Sequence, residues 1–231
     1  MLSLTPEETT ALLLSLKVAG TATFASLPFG LWVAWLLARK QFPGKAVLDA
    51  LVHLPLILPP VVTGYGLLLL FGRKGWLGAP LSEYFGIVFA FRWTGAALAC
   101  AVMGFPLLVR ALRLSFEAVD RKLEQAAGTL GAPPWAVFVT VTLPLLLPGL
   151  LAGLVLSFAR AVGEFGATIT FVSNIPGETQ TLPTAIYTFL QIPDGDGPAL
   201  RLVLICVALA VSALLLSEWL SRLAAKRIEG A

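Results

Sequence analysis

A chain can cross a lipid bilayer as a helix where about 20 consecutive residues are predominantly apolar. This sequence of 231 residues has five such stretches, at about 11–38, 47–72, 88–112, 145–172 and 200–221. Hydrophobic residues make up 58% of the chain and charged residues 13%, about half the ~25% usual in soluble domains. A small water-soluble domain has too much surface for its volume to hide that much apolar area. The composition excludes an ordinary soluble enzyme, a disordered tail, a disulfide scaffold and a fibrous repeat. The expected fold is an all-α integral membrane protein, residues 1–231 forming a single transmembrane domain. Cys100 and Cys206 lie inside apolar runs and read as free thiols. The N-terminus carries Glu7 and Glu8 and no basic stretch, so the first apolar run is expected to stay in the mature protein rather than be cleaved as a signal peptide.

The spans are not uniform. The second reads HLPLILPPVVTGYG, with Pro55, Pro59, Pro60, Gly64 and Gly66. Such a helix is kinked or broken, and its freed carbonyls have to face protein or a watered cavity. Residues 173–199 are interrupted by Pro176, Pro183 and Pro193. They read as a loop holding a short, re-entrant helix near 182–191, with a sixth span as the alternative. With the N-terminus outside and five crossings, the inner segments hold Arg39, Lys40, Lys45, Arg110, Arg113, Arg121, Lys122, Arg222, Lys226 and Arg227, and the outer ones Arg73, Lys74, Arg92 and Arg201. That is ten against four, with Lys17 and Arg160 inside spans completing the sixteen. The excess of inner positive charge predicts an N-out, C-in topology. The pI of about 9.1 is then a matter of inner loops rather than of nucleic acid, which is not expected as a partner. Trp32, Trp35, Trp93 and Trp219 fall near span ends, as interfacial anchors in membrane lipid do.

The longest inner loop, at about 113–144, carries the most specific pattern. Leu114, Val119, Leu123, Ala126, Ala127 and Leu130 alternate with Asp120, Arg121, Lys122 and Glu124, which predicts a short amphipathic helix over 114–130. Gly131 is placed to close it, and Pro133 and Pro134 suit the opening turn of the next helix. A helix–turn–helix of this kind, with a low-profile face of small residues, is suited to a groove in a partner protein. The spacing Gln125-Ala126-Ala127, three residues, Gly131, nine residues, then Val141-Thr142-Leu143-Pro144 resembles the EAA motif of permease subunits of type I, binding-protein-dependent ABC importers. Gln125 stands where that motif has Glu, with Glu124 just before it, and Val141 stands for Ile.

The resemblance extends from about residue 7 to 225. Stretches such as SLPFGLWVAWLLAR, FPGKAVLDALVHLPLILPPVVTGYGLLLLFGRKG and FARAVGEFGATITFVSNIPGETQTLPTAIYT are similar to the molybdate permeases of bacteria, with sulfate permeases as the nearest confusable relatives. The resemblance implies a type I ABC importer permease fold in the bacterial cytoplasmic (inner) membrane. It further implies an assembly of two permease copies, two cytoplasmic ABC ATPase subunits and an external molybdate-binding protein. Glu124, Gln125, Ala126, Ala127, Gly131, Leu143 and Pro144 would form the loop that couples to the ATPase. ATP and magnesium would sit on that partner, with no cofactor on this chain. In keeping with this, the only Gly-Lys pair is Gly44-Lys45-Ala46, without the leading glycine or the hydroxyl of a phosphate-binding loop.

Charge inside a span is costly unless it is paired, hydrated or turned inward. Arg160 and Glu164 stand four residues apart in the fourth span. They read either as an intrahelical ion pair or as part of a translocation path in which Arg160 attracts an oxyanion. Thr168, Thr170, Ser173 and Asn174 are candidate hydrogen-bond donors along such a path, which should bind its cargo weakly. Lys17 is expected to snorkel or to meet a neighbouring helix. His53 is the only histidine, and neither a metal site nor a nucleophile–base pair is expected. The alternatives to a molybdate importer are a tungstate or sulfate permease, an ion-coupled carrier with Glu164 as its acidic group, and, most remotely, an intramembrane enzyme.

Overall fold

The computed structural model describes residues 4–229, except for the side chains of Ser221 and of 224–229, so Lys226 and Arg227 from the charge count lie outside the described side chains. Every regular element among the described residues is helical. α1 (Pro6–Arg39) opens with a capping box. The Glu8 N–H donates to the Thr5 hydroxyl at 3.2 Å, and the Thr5 N–H donates to the Glu8 carboxylate at 2.7 Å. The second apolar run is broken into α2 (Lys45–Ile57) and α3 (Pro60–Phe71), bent by 116°. Pro59 and Pro60 enforce that break, because neither has an N–H to carry the helix onward.

Short α4 (Gly78–Phe85) leads into α5 (Trp93–Ala118). The expected third span thus starts five residues later and ends six residues later than its predicted limits. The predicted amphipathic helix at 114–130 is divided. Its first turn belongs to α5, Val119 closes α5, and Asp120 caps α6 (Arg121–Thr129).

The fourth span also departs from its predicted limits. Helix begins at α7 (Pro134–Val137), passes through a π turn at Phe138–Thr142 and continues as α8 (Leu143–Val162). It stops there, and α9 (Gly166–Val172) is a separate rod. The expected span 145–172 is therefore displaced toward the N-terminus and cut at Gly163–Phe165. The segment 173–199 holds α10 (Leu182–Phe189), close to its predicted place and too short to cross a bilayer. α11 (Asp196–Glu229) is the last span. Four helices among the described residues are long and apolar enough to cross, five counting the bent α2–α3 pair.

α1 and α5 lie parallel. Leu14, Val18 and Ala22 join Ala96, Ala99 and Met103 in one cluster; Ala34 and Leu37 join Leu108, Leu112 and Phe116 in another. α8 runs the other way, placing Leu146 in the second cluster and Ala161 in the first. α11 begins beside Ala11 and Leu182, so it is parallel to α1. Apolar side chains gain little by leaving lipid, so such bundles are held by close packing of small residues. A Cβ on Gly153 would stand 3.1 Å from the Ala111 side chain, and one on Gly149 would collide with Ser115. Outward faces carry Phe24, Phe29, Trp32, Leu215 and Trp219, all exposed.

Charged groups mark the two ends. At one, buried Glu8 accepts from Arg201 of α11 at 2.7 Å, and the Lys17 ammonium lies 3.7 Å from the centre of the Trp93 ring. At the other, Arg113 bridges Asp49 at 3.0 Å and Glu117 at 2.9 Å. These are called below the Glu8 end and the Arg39 end.

Candidate functional site

The residues expected to form the coupling loop lie together at the Arg39 end. Val119 is anchored in the core, and the Asp120 carboxylate then accepts the Lys122 N–H at 2.9 Å to start α6. α6 buries none of its residues. It ends in a Schellman turn: the Gly131 N–H donates to Gly128 O at 3.0 Å and the Ala132 N–H to Ala127 O at 3.2 Å. Gly131 takes φ +88°, the left-handed conformation that glycine adopts without strain. Gln125 and Ala126 are exposed and Ala127 is half-buried. Leu123, Leu130 and Trp135 stand exposed beside them, Leu130 by 88%, an apolar rim around a helix with no core face of its own.

Leu143 and Pro144 act on the backbone. Pro144 has no N–H to offer the Thr140 carbonyl, and its ring crowds that oxygen. The chain widens into the π turn just before it, and the Leu143 N–H reaches back to Phe138 O. Thr142, the last residue of that turn, is buried and donates its hydroxyl to Glu124 Oε1 at 2.8 Å. The same oxygen accepts from Arg39 Nη2 at 3.1 Å. Glu124 thus joins three elements. Sequence reasoning placed Glu124 in the loop but missed Arg39 and Thr142, because the partners are 85 and 18 residues away. A groove of about 410 Å³ opens here between Trp35, Gln125, Gly128, Pro134 and Phe138.

The residues read as a translocation path lie at the far end of α8. At 1.5 Å per residue, the 20 residues of Leu143–Val162 separate the two groups by about 30 Å. Arg160 is in the last turn of α8, where a cation complements the helix dipole. Its Nη1 stands 2.6 Å from Glu164 Oε2. Glu164 is buried, but it lies in the break rather than on the helix, and its Oε1 accepts the Ala167 N–H of α9 at 2.8 Å. The pair therefore bridges two rods instead of lying along one.

Thr168 is fully buried and donates to Phe165 O at 2.8 Å; Thr170 donates to Gly166 O at 2.7 Å. Both hydroxyl protons are engaged with backbone carbonyls. Ser173 is exposed at φ +65°, an uncommon backbone for a residue with a side chain. Asn174 donates to the Thr188 hydroxyl at 2.7 Å. The path candidates are thus neighbours in space: Glu164 and Thr168 are buried, Arg160, Thr170 and Asn174 are half-buried, and Ser173 is exposed.

The break is packed tightly. A Cβ on Gly64 would lie 2.5 Å from Ala167 O, and one on Gly166 would lie 2.8 Å from the Pro60 side chain. α3 and α9, the two short rods that follow the two breaks, cross backbone against backbone.

Residues 26–228 match the family model described as the inner membrane component of binding-protein-dependent transport systems. The chain belongs to this family. It is 62% identical over 224 residues to the molybdenum transport system permease protein ModB of Escherichia coli (strain K12), covering 97% of this chain and 98% of that protein. To ModB of Haemophilus influenzae it is 58% identical, with 96% of each covered. The sulfate transport system permease protein CysT of Escherichia coli is more distant, 40% identical over 91% of this chain and 75% of its own. Among solved structures, the inward-facing MetNI methionine ABC transporter matches with a TM-score of 0.70 at 17% identity, over 93% of this chain and 94% of that one. A bacterial ABC transporter that imports alginate matches at 0.69 and 16%, over 96% and 80%. As a member of this family, the chain has the type I ABC importer permease fold expected from its loop.

Proposed function

We propose that the chain is the membrane-spanning permease subunit of an ATP-driven importer that carries molybdate across the inner membrane. The observation that carries this reading is 62% identity to a molybdenum transport permease over nearly the whole of both chains. Two copies form the path. An external molybdate-binding protein delivers the anion at the Glu8 end, with the N-terminus outside. Cytoplasmic ATPase subunits, which bind ATP and its magnesium, dock on the α6 turn at the Arg39 end. This orientation is supported by the ten-to-four distribution of basic residues and by the exposed Leu123, Leu130 and Trp135 beside Gly131. ATPase closure then moves the helices as rigid bodies and opens the path alternately to each side. Arg160, Thr170, Ser173 and Asn174 line that path on this reading, and the Glu164 carboxylate keeps Arg160 from binding the anion too firmly.

The test is uptake of labelled molybdate by cells lacking their own molybdate permease and supplied with this chain and its partner subunits. Uptake that excess tungstate suppresses and excess sulfate leaves alone is the expected result. Sulfate uptake without molybdate uptake overturns it in favour of the sulfate reading, for which the 40% identity to CysT is the support. Transport in vesicles without any ATPase subunit would instead favour an ion-coupled carrier. Gly131→Asp, which puts charge and bulk at the docking turn, is expected to abolish uptake while the protein stays in the membrane. Wild-type uptake in that variant would remove the coupling assignment.

A further inference from the structure

α6 is the element to which a partner would attach, yet it contributes nothing to the hydrophobic core. A helix held only by its two ends would swing without moving anything else. What fixes it is one carboxylate oxygen. Glu124 Oε1 accepts from Arg39 Nη2 at 3.1 Å and from Thr142 Oγ1 at 2.8 Å. The Arg39 side chain is only 10% exposed, so its charge has little water to turn to if the carboxylate leaves. Arg39 is the last residue of α1, whose other end is fixed to α11 through Glu8 and Arg201. Thr142 is the last residue of the π turn, directly before α8. Nearby Asp120, Arg121 and Lys122 are exposed and reach neither rod.

Resting on the coupling role proposed for the α6 turn, we propose that Arg39 and Thr142 are positioning residues for transport. Through Glu124 they make α6 move as one body with α1 and α8. A displacement of the turn is then delivered at once to two long rods that meet at the Arg39 end. Without the clasp, α6 would follow the ATPase while the bundle stays behind.

The readout is molybdate imported per ATP hydrolysed by the full complex in vesicles with its binding protein, beside hydrolysis alone. A merely structural role would lower both rates together and leave their ratio unchanged. Glu124→Ala is expected to keep hydrolysing ATP while the ratio falls about tenfold. The exchanged pair Arg39→Glu with Glu124→Arg restores the larger part of it. Thr142→Val, nearly the same shape without the donor, lowers the ratio about threefold and decides the matter if Glu124→Ala does not assemble. A wild-type ratio in Thr142→Val or in an assembled Glu124→Ala complex overturns the proposal. Absence of molybdate uptake by the wild-type complex would instead overturn the importer reading itself, so the two failures are distinct.

Discussion

The two ends of α8 are built on different physics. At Thr142 a few polar contacts hold an exposed helix that has no buried residue. At Val162 the chain breaks, and α9 lies against α3 with no room for a single added carbon at Gly64 or Gly166. The first attachment can be loosened by degrees, because a hydrogen bond tolerates a range of lengths and angles before it is lost. The second is steric, and packed backbones have few intermediate arrangements. A rod about 30 Å long thus joins an adjustable handle to a stiff joint. That is a workable layout for turning partner movement into a discrete change.

The difference can be broken most severely at the joint. Gly64→Ala would set a Cβ 2.5 Å from Ala167 O and 2.9 Å from its Cα. Both are backbone atoms, with no flexible side chain to yield. Loss of about 3 kcal/mol or more is expected, read as a lower unfolding temperature in detergent and a smaller folded yield. Gly66→Ala, two residues on in the same helix, meets nothing within 4 Å and should gain up to about 1 kcal/mol. Equal stability of the two variants would show that the crossing of α3 and α9 has slack.

The electrostatic part of the joint comes next in size. Glu164→Ala removes the partner of Arg160 and the acceptor of the Ala167 N–H together. A loss of about 2–3 kcal/mol is expected in the same unfolding measurement. Glu164→Gln keeps an acceptor for the N–H and loses only the charge, so it should fall between Glu164→Ala and wild type. A Gln variant as damaged as the Ala variant would assign the whole effect to the ion pair.

The spans were legible in the sequence because a bilayer demands length and apolarity, and both are local properties. The break before α3 was legible too, since Pro59 and Pro60 forbid a continuous helix. The break before α9 has no proline. Its signal was weaker: Glu164 between Gly163 and Gly166 in an otherwise apolar run. Read as a helical i, i+4 pair, Arg160 and Glu164 concealed the break, although they do pair across it. The Schellman close at Gly131 was legible from its position after the amphipathic run. The clasp was not. Arg39 looks like any basic residue at a helix end, and Thr142 like the variable position in a Leu-Pro tail. Only the fold brings them to one oxygen.

The smallest expected effects lie in the α6 turn, and there the sign carries the information. Gly128 and Gly131 both have open space where a Cβ would go, so sterics treat them alike. Gly128 lies within α6 with ordinary helical backbone, while Gly131 has φ +88°. Gly128→Ala should therefore stabilise by up to about 1 kcal/mol by removing backbone freedom from the unfolded chain. Gly131→Ala should destabilise by about 1 kcal/mol, the cost of a left-handed alanine. Neither touches the core, so neither should alter how α1, α5 and α8 pack. Unfolding temperatures of the two variants, moving in opposite directions from wild type, are the check. If both fell together, the turn would be sensing something other than its own backbone, and α6 would be bound to the bundle more firmly than its exposed surface indicates.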